Sequence, residues 1–129
     1  MNIDLIIKTW EKFGVDLNSN ASQKEISDLE TEINFQFPVN FKNLYLRVNG
    51  FDGIDLSFNL FSFCSLSRIK EEYNNKDFIP ICDFLISSHF LGYFKGQNGI
   101  YQEGNQFLKV CDNIEELVKL IEQDSELIY

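Results

Sequence analysis

The sequence predicts an α+β fold: N-terminal helices, a central antiparallel β-meander and a C-terminal helix packed on the sheet. Three observations carry this expectation. Apolar residues recur at helical spacing through the first third of the chain, alternate with polar ones after Gly53, and return to helical spacing beyond Asn113.

Ile3, Ile6, Ile7, Trp10 and Phe13 form the stripe of a first amphipathic helix, and Gly14 stops it. Residues 17–21 make a polar link. Ser22-Gln23-Lys24-Glu25 has the form of a capping box, in which Ser hydroxyl and Glu carboxylate each accept an orphan backbone N–H. Ile26, Leu29 and Ile33 are the apolar face of that second helix. Pro38 pushes the residue before it out of the helical region and closes the connection. A third helix begins near Asn40, carries Phe41, Leu44, Tyr45 and Val48 on one face, and ends at Asn49-Gly50.

Ile54, Leu56, Phe58 and Leu60 alternate with Asp55, Ser57 and Asn59, the pattern of a half-buried strand over 54–60. A short helix follows, capped by Ser65 or Ser67, with Ile69 and Tyr73 facing inward. Residues 78–85 form the next strand, in which Pro80 marks an edge or a bulge. Residues 88–94 form another, and 95–99 with Asn98-Gly99 supply a hairpin turn. Segments 100–103 and 107–110 pair across Gly104-Asn105. The last helix is capped by Asp112 or Asn113 and buries Ile114, Leu117, Val118 and Ile121. No repeat or linker interrupts this order, so a single domain over 1–129 is expected.

The 11 basic and 20 acidic residues leave a net charge of −9, which disfavours a nucleic-acid partner held through its phosphates. The charge is uneven. Residues 1–32 hold seven acids against three bases, residues 33–111 hold seven of each, and residues 112–129 hold six acids against Lys119. Such faces are either solvated helix backs or a surface for a basic protein partner. No stretch reaches the roughly 20 apolar residues of a membrane span, and the opening segment reads as a helix, not a signal peptide. Cys64, Cys82 and Cys111 are widely spaced, which fits reduced thiols in the cytoplasm and gives no zinc pattern with His89.

Few residues suggest chemistry. Ser67-Arg68-Ile69-Lys70 matches the Ser-x-x-Lys pattern of acylating serine enzymes, but the partner motifs are absent and a solvated lysine is expected. His89 is the one side chain with an ordinary pKa near neutrality, and a cysteine nucleophile would have to use it; its strand context suggests packing instead. Asp52 and Asp55 in the Gly-rich loop 50–55 lack calcium-loop spacing. Gly92, Gly96, Gly99 and Gly104 precede no helix that would make a phosphate cradle. No metal and no cofactor are expected.

One set of residues points further. Trp10, then Ile26-x-x-Leu29-Glu30-x-x-Ile33, Phe37-Pro38-x-x-Phe41-Lys42-x-Leu44-Tyr45 and Asn49-Gly50 resemble the SUKH superfamily, which includes bacterial immunity proteins and the fungal cell-wall assembly regulators. The order of elements agrees over about residues 3–123. Phe37 stands where Leu is usual, and 83–88 lacks the Gly- and Asp-rich character of relatives. The family pattern contains no catalytic residue, so none is carried over. The resemblance implies a non-enzymatic, cytoplasmic immunity protein that neutralises a cognate polymorphic or contact-dependent toxin by occlusion. A basic nuclease or deaminase domain is the partner type it implies, with no direct nucleic acid or membrane contact and a monomer or weak dimer. The other reading from the resemblance is a regulatory interaction domain. Asp52, Asp55, Asp83, Tyr101 and Glu103, near strand ends and loops, are the expected contact face, since such loops gather binding residues. Asp16, Glu115, Glu116 and Glu122 are the competing acidic surface.

Overall fold

A computed structural model describes residues 1–74, 77–104 and 108–129. Three helices open the chain: α1 (Ile3–Lys12), α2 (Gln23–Ile33) and α3 (Val39–Tyr45). Strand β1 (Phe61–Phe63) and helix α4 (Leu66–Glu72) follow, then β2 (Phe78–Phe84), β3 (His89–Phe94), β4 (Ile100–Gln102) and β5 (Leu108–Cys111). Helix α5 (Ile114–Glu122) and a 3₁₀ turn (Glu126–Ile128) complete it. The five strands lie in chain order, each antiparallel to the next, so the expected α+β meander is what the chain forms. Helix α5 packs on β5 and touches α1 and α3, while α4 lies against β2 and α2.

Local chemistry sets the helix ends. Asn2 accepts the Leu5 N–H at 3.1 Å to start α1. The capping box at α2 is complete: Ser22 Oγ accepts from Glu25 N at 3.0 Å, and Glu25 Oε1 accepts from Ser22 N at 2.9 Å. Ser65, not Ser67, caps α4, and Asn113, not Asp112, caps α5. Helix α3 stops at Tyr45, short of Asn49-Gly50; residues 46–47 form a turn and the chain bends at Gly50.

The motif that carries the family resemblance is a packing device. Glu30 is buried on α2, where its carboxylate accepts the Phe37 N–H at 2.7 Å and lies 3.3 Å from Lys42 Nζ. It thereby pins the α2–α3 connection at both ends. Phe37, Phe41 and Tyr45 stack in succession, with centroids 4.1 and 4.0 Å apart. Tyr45 Oη donates to the Cys64 carbonyl at 2.6 Å, and Asn49 Oδ1 accepts from Leu66 N at 2.9 Å. Gly50 has φ +66°, and a Cβ there would lie 2.6 Å from the Cys64 carbonyl oxygen. Trp10 sits at the centre of the core, 5.0 Å from both Phe51 and Phe63.

The strand expected over 54–60 does not form. Asp55 folds the chain locally: its carboxylate accepts the Ser57 N–H and the Asp16 N–H, each at 2.9 Å. An Asp bonded to the backbone two residues on makes a turn and takes those N–H groups out of any ladder. Ile54 and Leu60 are consequently exposed, and only Phe58 of the alternating set is fully buried. The first strand is Phe61–Phe63, buried at every position.

Pro80 occupies a bulge. Pairing with β3 shifts between Pro80 and Cys82, so Ile81 has no opposite residue in β3. The proline lies beyond the reach of β1, which pairs only with residues 82–84, so its missing N–H interrupts no ladder there. Opposite it stands Gly92, where a Cβ would lie 1.9 Å from the Ile79 carbonyl oxygen. The turn expected at Gly104-Asn105 and the strand position Phe107 fall partly outside the described residues, since Asn105 and Phe107 are not among them.

Candidate functional site

The polar centre of the sheet is an ion pair. Arg68 on α4 reaches over β2 to donate from Nη2 to Asp83 Oδ2, and its guanidinium carbon lies 5.9 Å from the Phe90 ring centre. Glu72, one turn on, stands 4.0 Å from Nε. Asp83 is fully buried and also accepts the Ser87 N–H at 2.7 Å. It therefore anchors both α4 and the β2–β3 turn, and it is not part of the surface. Above this pair an open cleft runs between Ile54, Arg68, Glu71, Glu72 and Ser87.

The remaining members of the expected face separate into two groups. Asp52 is exposed, and its N–H donates to the Asp16 carbonyl at 2.8 Å. Asp55 is committed to the turn described above. Burial raises its carboxyl, and the Asp16 and Ser57 N–H groups outweigh that, so the net position is below the ordinary carboxylate value. Tyr101 is half-buried on β4 with its ring 6.2 Å from Phe94. Glu103 is exposed beside it and its N–H donates to the Phe90 carbonyl. Phe90 is the ladder partner of Asp83, so Glu103 stands two strands away from the Arg68 pair. Asp52 and Asp55 thus share a loop, while Tyr101 and Glu103 share a strand end.

The competing acidic set is split: Asp16 is bonded to Asp52 and Asp55 in the loop just described, while its other members lie on α5. Glu115 accepts the Asn2 N–H at 3.0 Å and lies 3.6 Å from Lys119, joining the start of α1 to α5. Glu116 and Glu122 are exposed on α5. Helices α1 and α5 therefore meet, with a groove between them lined by Leu5, Ile6, Thr9 and Val118.

The residues that could carry catalysis are placed for packing. His89 stacks on Phe84 at 4.9 Å, and its Nε2 lies 3.3 Å from the Ile128 carbonyl. Burial pushes its pKa below the ordinary 6.5, partly offset by that carbonyl and by Asp83. All three cysteines are free and buried. Burial pushes the Cys64 and Cys111 thiols up to about 12, and Cys82 well above its ordinary value, which keeps them protonated and poorly nucleophilic. Ser67 is exposed, and Lys70 pairs with Glu32 at 3.3 Å. Among the described residues no group of three or more His, Cys, Asp or Glu side chains could hold a metal, and no helix is long and apolar enough to cross a membrane.

Two features escape a reading of residue types. Arg68 appears in the sequence only as a spacer inside Ser67-x-x-Lys70, yet it is the side chain that organises the cleft. Leu85, expected as the last residue of a strand, instead forms the β2–β3 turn with Ile86, and both side chains are exposed. An apolar pair at a tight turn, where Gly or Asn is usual, was the available signal.

A five-stranded meander flanked by helices, with the resemblance-bearing motif spent on packing, is the α+β architecture that the resemblance implied. The sequence model of the SMI1/KNR4 family (SUKH-1) matches residues 20–120, and the chain belongs to that family, which is typical of immunity proteins. It is also 32% identical over 108 residues to YnaB of Bacillus subtilis (strain 168), described as uncharacterized, covering 81% of this chain and 69% of that protein.

Proposed function

We propose that this chain is an immunity protein that acts in the cytoplasm as a single domain, binding a cognate polymorphic or contact-dependent toxin and blocking it stoichiometrically, without turnover. The observation that supports this reading is the family match over residues 20–120. The net charge of −9 adds a partner type. A toxin that acts on nucleic acid carries Lys and Arg in its cleft, and an acidic protein competes with phosphates for those groups. The packing of His89 and the three cysteines supports occlusion over chemistry.

The test is protection. The C-terminal module of the large secreted protein expected from the neighbouring reading frame is expressed in cells with and without this protein, and the purified pair is weighed by native mass spectrometry. Survival with a stoichiometric complex is expected. Growth arrest despite abundant folded protein would remove the immunity reading and favour a regulatory interaction domain.

A further inference from the structure

We propose that the β2–β3 end of the molecule is the surface that docks the toxin, and that it takes a protein face with an apolar centre ringed by Lys and Arg. This inference rests on the immunity reading above. Among the described residues, five of the ten exposed large apolar side chains gather at one end of the molecule, and the other five are spread elsewhere. Leu60 (44% exposed), Leu85 (45%), Ile86 (60%), Leu127 (66%) and Tyr129 (49%) lie on three segments that are tied together. The Leu85 N–H donates to the Leu60 carbonyl at 3.0 Å. The Tyr129 ring packs 5.3 Å from Phe84 and 6.0 Å from Phe61, and His89 Nε2 faces the Ile128 carbonyl. The turn before β1, the β2–β3 turn and the 3₁₀ turn thus form one end of the protein.

The backbone there is strained. Asn59 (φ 50°), Leu60 (φ 70°), Leu85 (φ 50°), Ile86 (φ 52°) and Ser87 (φ 66°) are left-handed, a conformation that leucine and β-branched isoleucine rarely adopt. It is held by the Leu85–Leu60 bond, by Ser88 N donating to the Phe84 carbonyl at 3.0 Å, and by the buried Asp83 carboxylate on Ser87 N. Asn or Gly at 85 and 86 would relieve the strain and hide no apolar surface. A chain that keeps Leu and Ile in this turn holds them outward against both hydration and backbone preference. Strain that is over-determined by its surroundings clusters at binding sites.

Charge identifies the occupant. Glu71 and Glu72 border the cleft beside Ser87, Asp124 accepts from Tyr129 Oη, and Glu126 is exposed in the 3₁₀ turn. Arg68, the cation lining this cleft among the described residues, is turned onto the buried Asp83, with Glu72 4.0 Å from its Nε. An apolar centre with an acidic rim matches a protein surface of the opposite rim charge, and repels a second copy of this chain.

The experiment uses the full chain and the catalytically inactivated toxin module, measured by calorimetry and cell protection. Leu85→Asn with Ile86→Asn is expected to weaken binding at least tenfold and abolish protection while the thermal midpoint stays or rises. Leu5→Asn with Val39→Asn, at exposed apolar sites elsewhere, is expected to bind as the parent does. A second variant, Glu71→Lys with Glu126→Lys, leaves the apolar side chains in place and is expected to slow association at low salt. Parent-like binding by the first and second variants would overturn the proposal. So would a dimer that the first variant dissociates without touching toxin binding, because the occupant is then a second copy. Failure of the parent protein to bind or protect is a separate outcome, and it removes the immunity reading on which this surface rests.

Discussion

Arg68 and Asp83 form a buried pair, with Glu72 4.0 Å from Arg68 Nε on the outer side, and neither member can be removed cheaply. In Arg68→Met the Asp83 carboxylate stays buried with the Ser87 N–H alone, and an uncompensated buried charge costs about 3–5 kcal/mol. Urea unfolding is expected to show a loss of that size, whereas Lys70→Met, which frees an exposed pair with Glu32, is expected to shift stability by under about 1 kcal/mol. Equal effects of the two substitutions would mean that the buried pair is not what fastens α4 to the sheet. His89 gives a pH dependence of definite sign. Burial lowers its folded pKa below 6.5, so the unfolded chain takes up the proton more readily. Its contribution is fully present above about pH 6.5 and is lost as pH falls through the folded value. Asp55, also lowered, acts in the same direction but only in the acid range below about pH 4. Unfolding midpoints at pH 7.5 and 5.5 are expected to differ more for the parent than for His89→Gln, and parallel behaviour would exclude His89 as the source. Of these residues the sequence shows types and not environments. The burial of Asp83 depends on Arg68 from a different element, and no local pattern around either one reports the other.

At the scale of elements, what is legible is what is decided locally. The capping box and the 3.6-residue stripes of α1, α2 and α5 lie within a few residues of the groups they serve and could be read directly, while the sequence narrows the caps of α4 and α5 to two residues each and does not single out Asn2. The strand expected over 54–60 shows the limit of that method. Its alternation is real in the sequence, but Asp55 commits the backbone to a turn and leaves Ile54 and Leu60 in water. Pro80 signalled an edge or a bulge and the register shows the bulge, while the close approach at Gly92 on β3 could be found only from the register. Gly92→Ala places a Cβ 1.9 Å from the Ile79 carbonyl oxygen, so the strands must part or the bulge must move. A loss of about 1–3 kcal/mol or more is expected by thermal or urea unfolding. Gly96→Ala, with φ +79° but nothing within 4 Å, bears only the backbone term, about 1 kcal/mol. If both variants lose the same amount, the close approach of β2 and β3 is not as tight as the register indicates.

Across the whole molecule the fold brings together what the sequence keeps apart. Residues 1–32 and 112–129 carry the excess of acid, and the Asn2–Glu115 hydrogen bond with the α1–α5 contact sets the first helix of the one beside the helix of the other. The acidic side continues through Asp124 and Glu126 to the rim of the proposed docking end, so the long-range field and the apolar centre belong to one approach path. The net charge was legible from composition; its convergence was not, because it depends on how α5 returns to α1. Nor was the apolar end, since exposed leucines and buried ones look alike until the turn that holds them is known. The two parts of this surface act on different rate constants. A field from many exposed carboxylates speeds encounter and is screened as the Debye length shrinks from about 30 Å in 0.01 M salt to about 8 Å in 0.15 M. Desolvated apolar contacts form after encounter and set the lifetime of the complex. Stopped-flow association with the toxin module is expected to slow by about tenfold or more over that salt range, with little change in dissociation. Leu85→Asn with Ile86→Asn is expected to do the reverse, shortening the lifetime and leaving the association rate nearly intact. A salt-independent association rate would show that the acidity serves solvation alone, and an unchanged lifetime in the turn variant would move the contact away from the β2–β3 end.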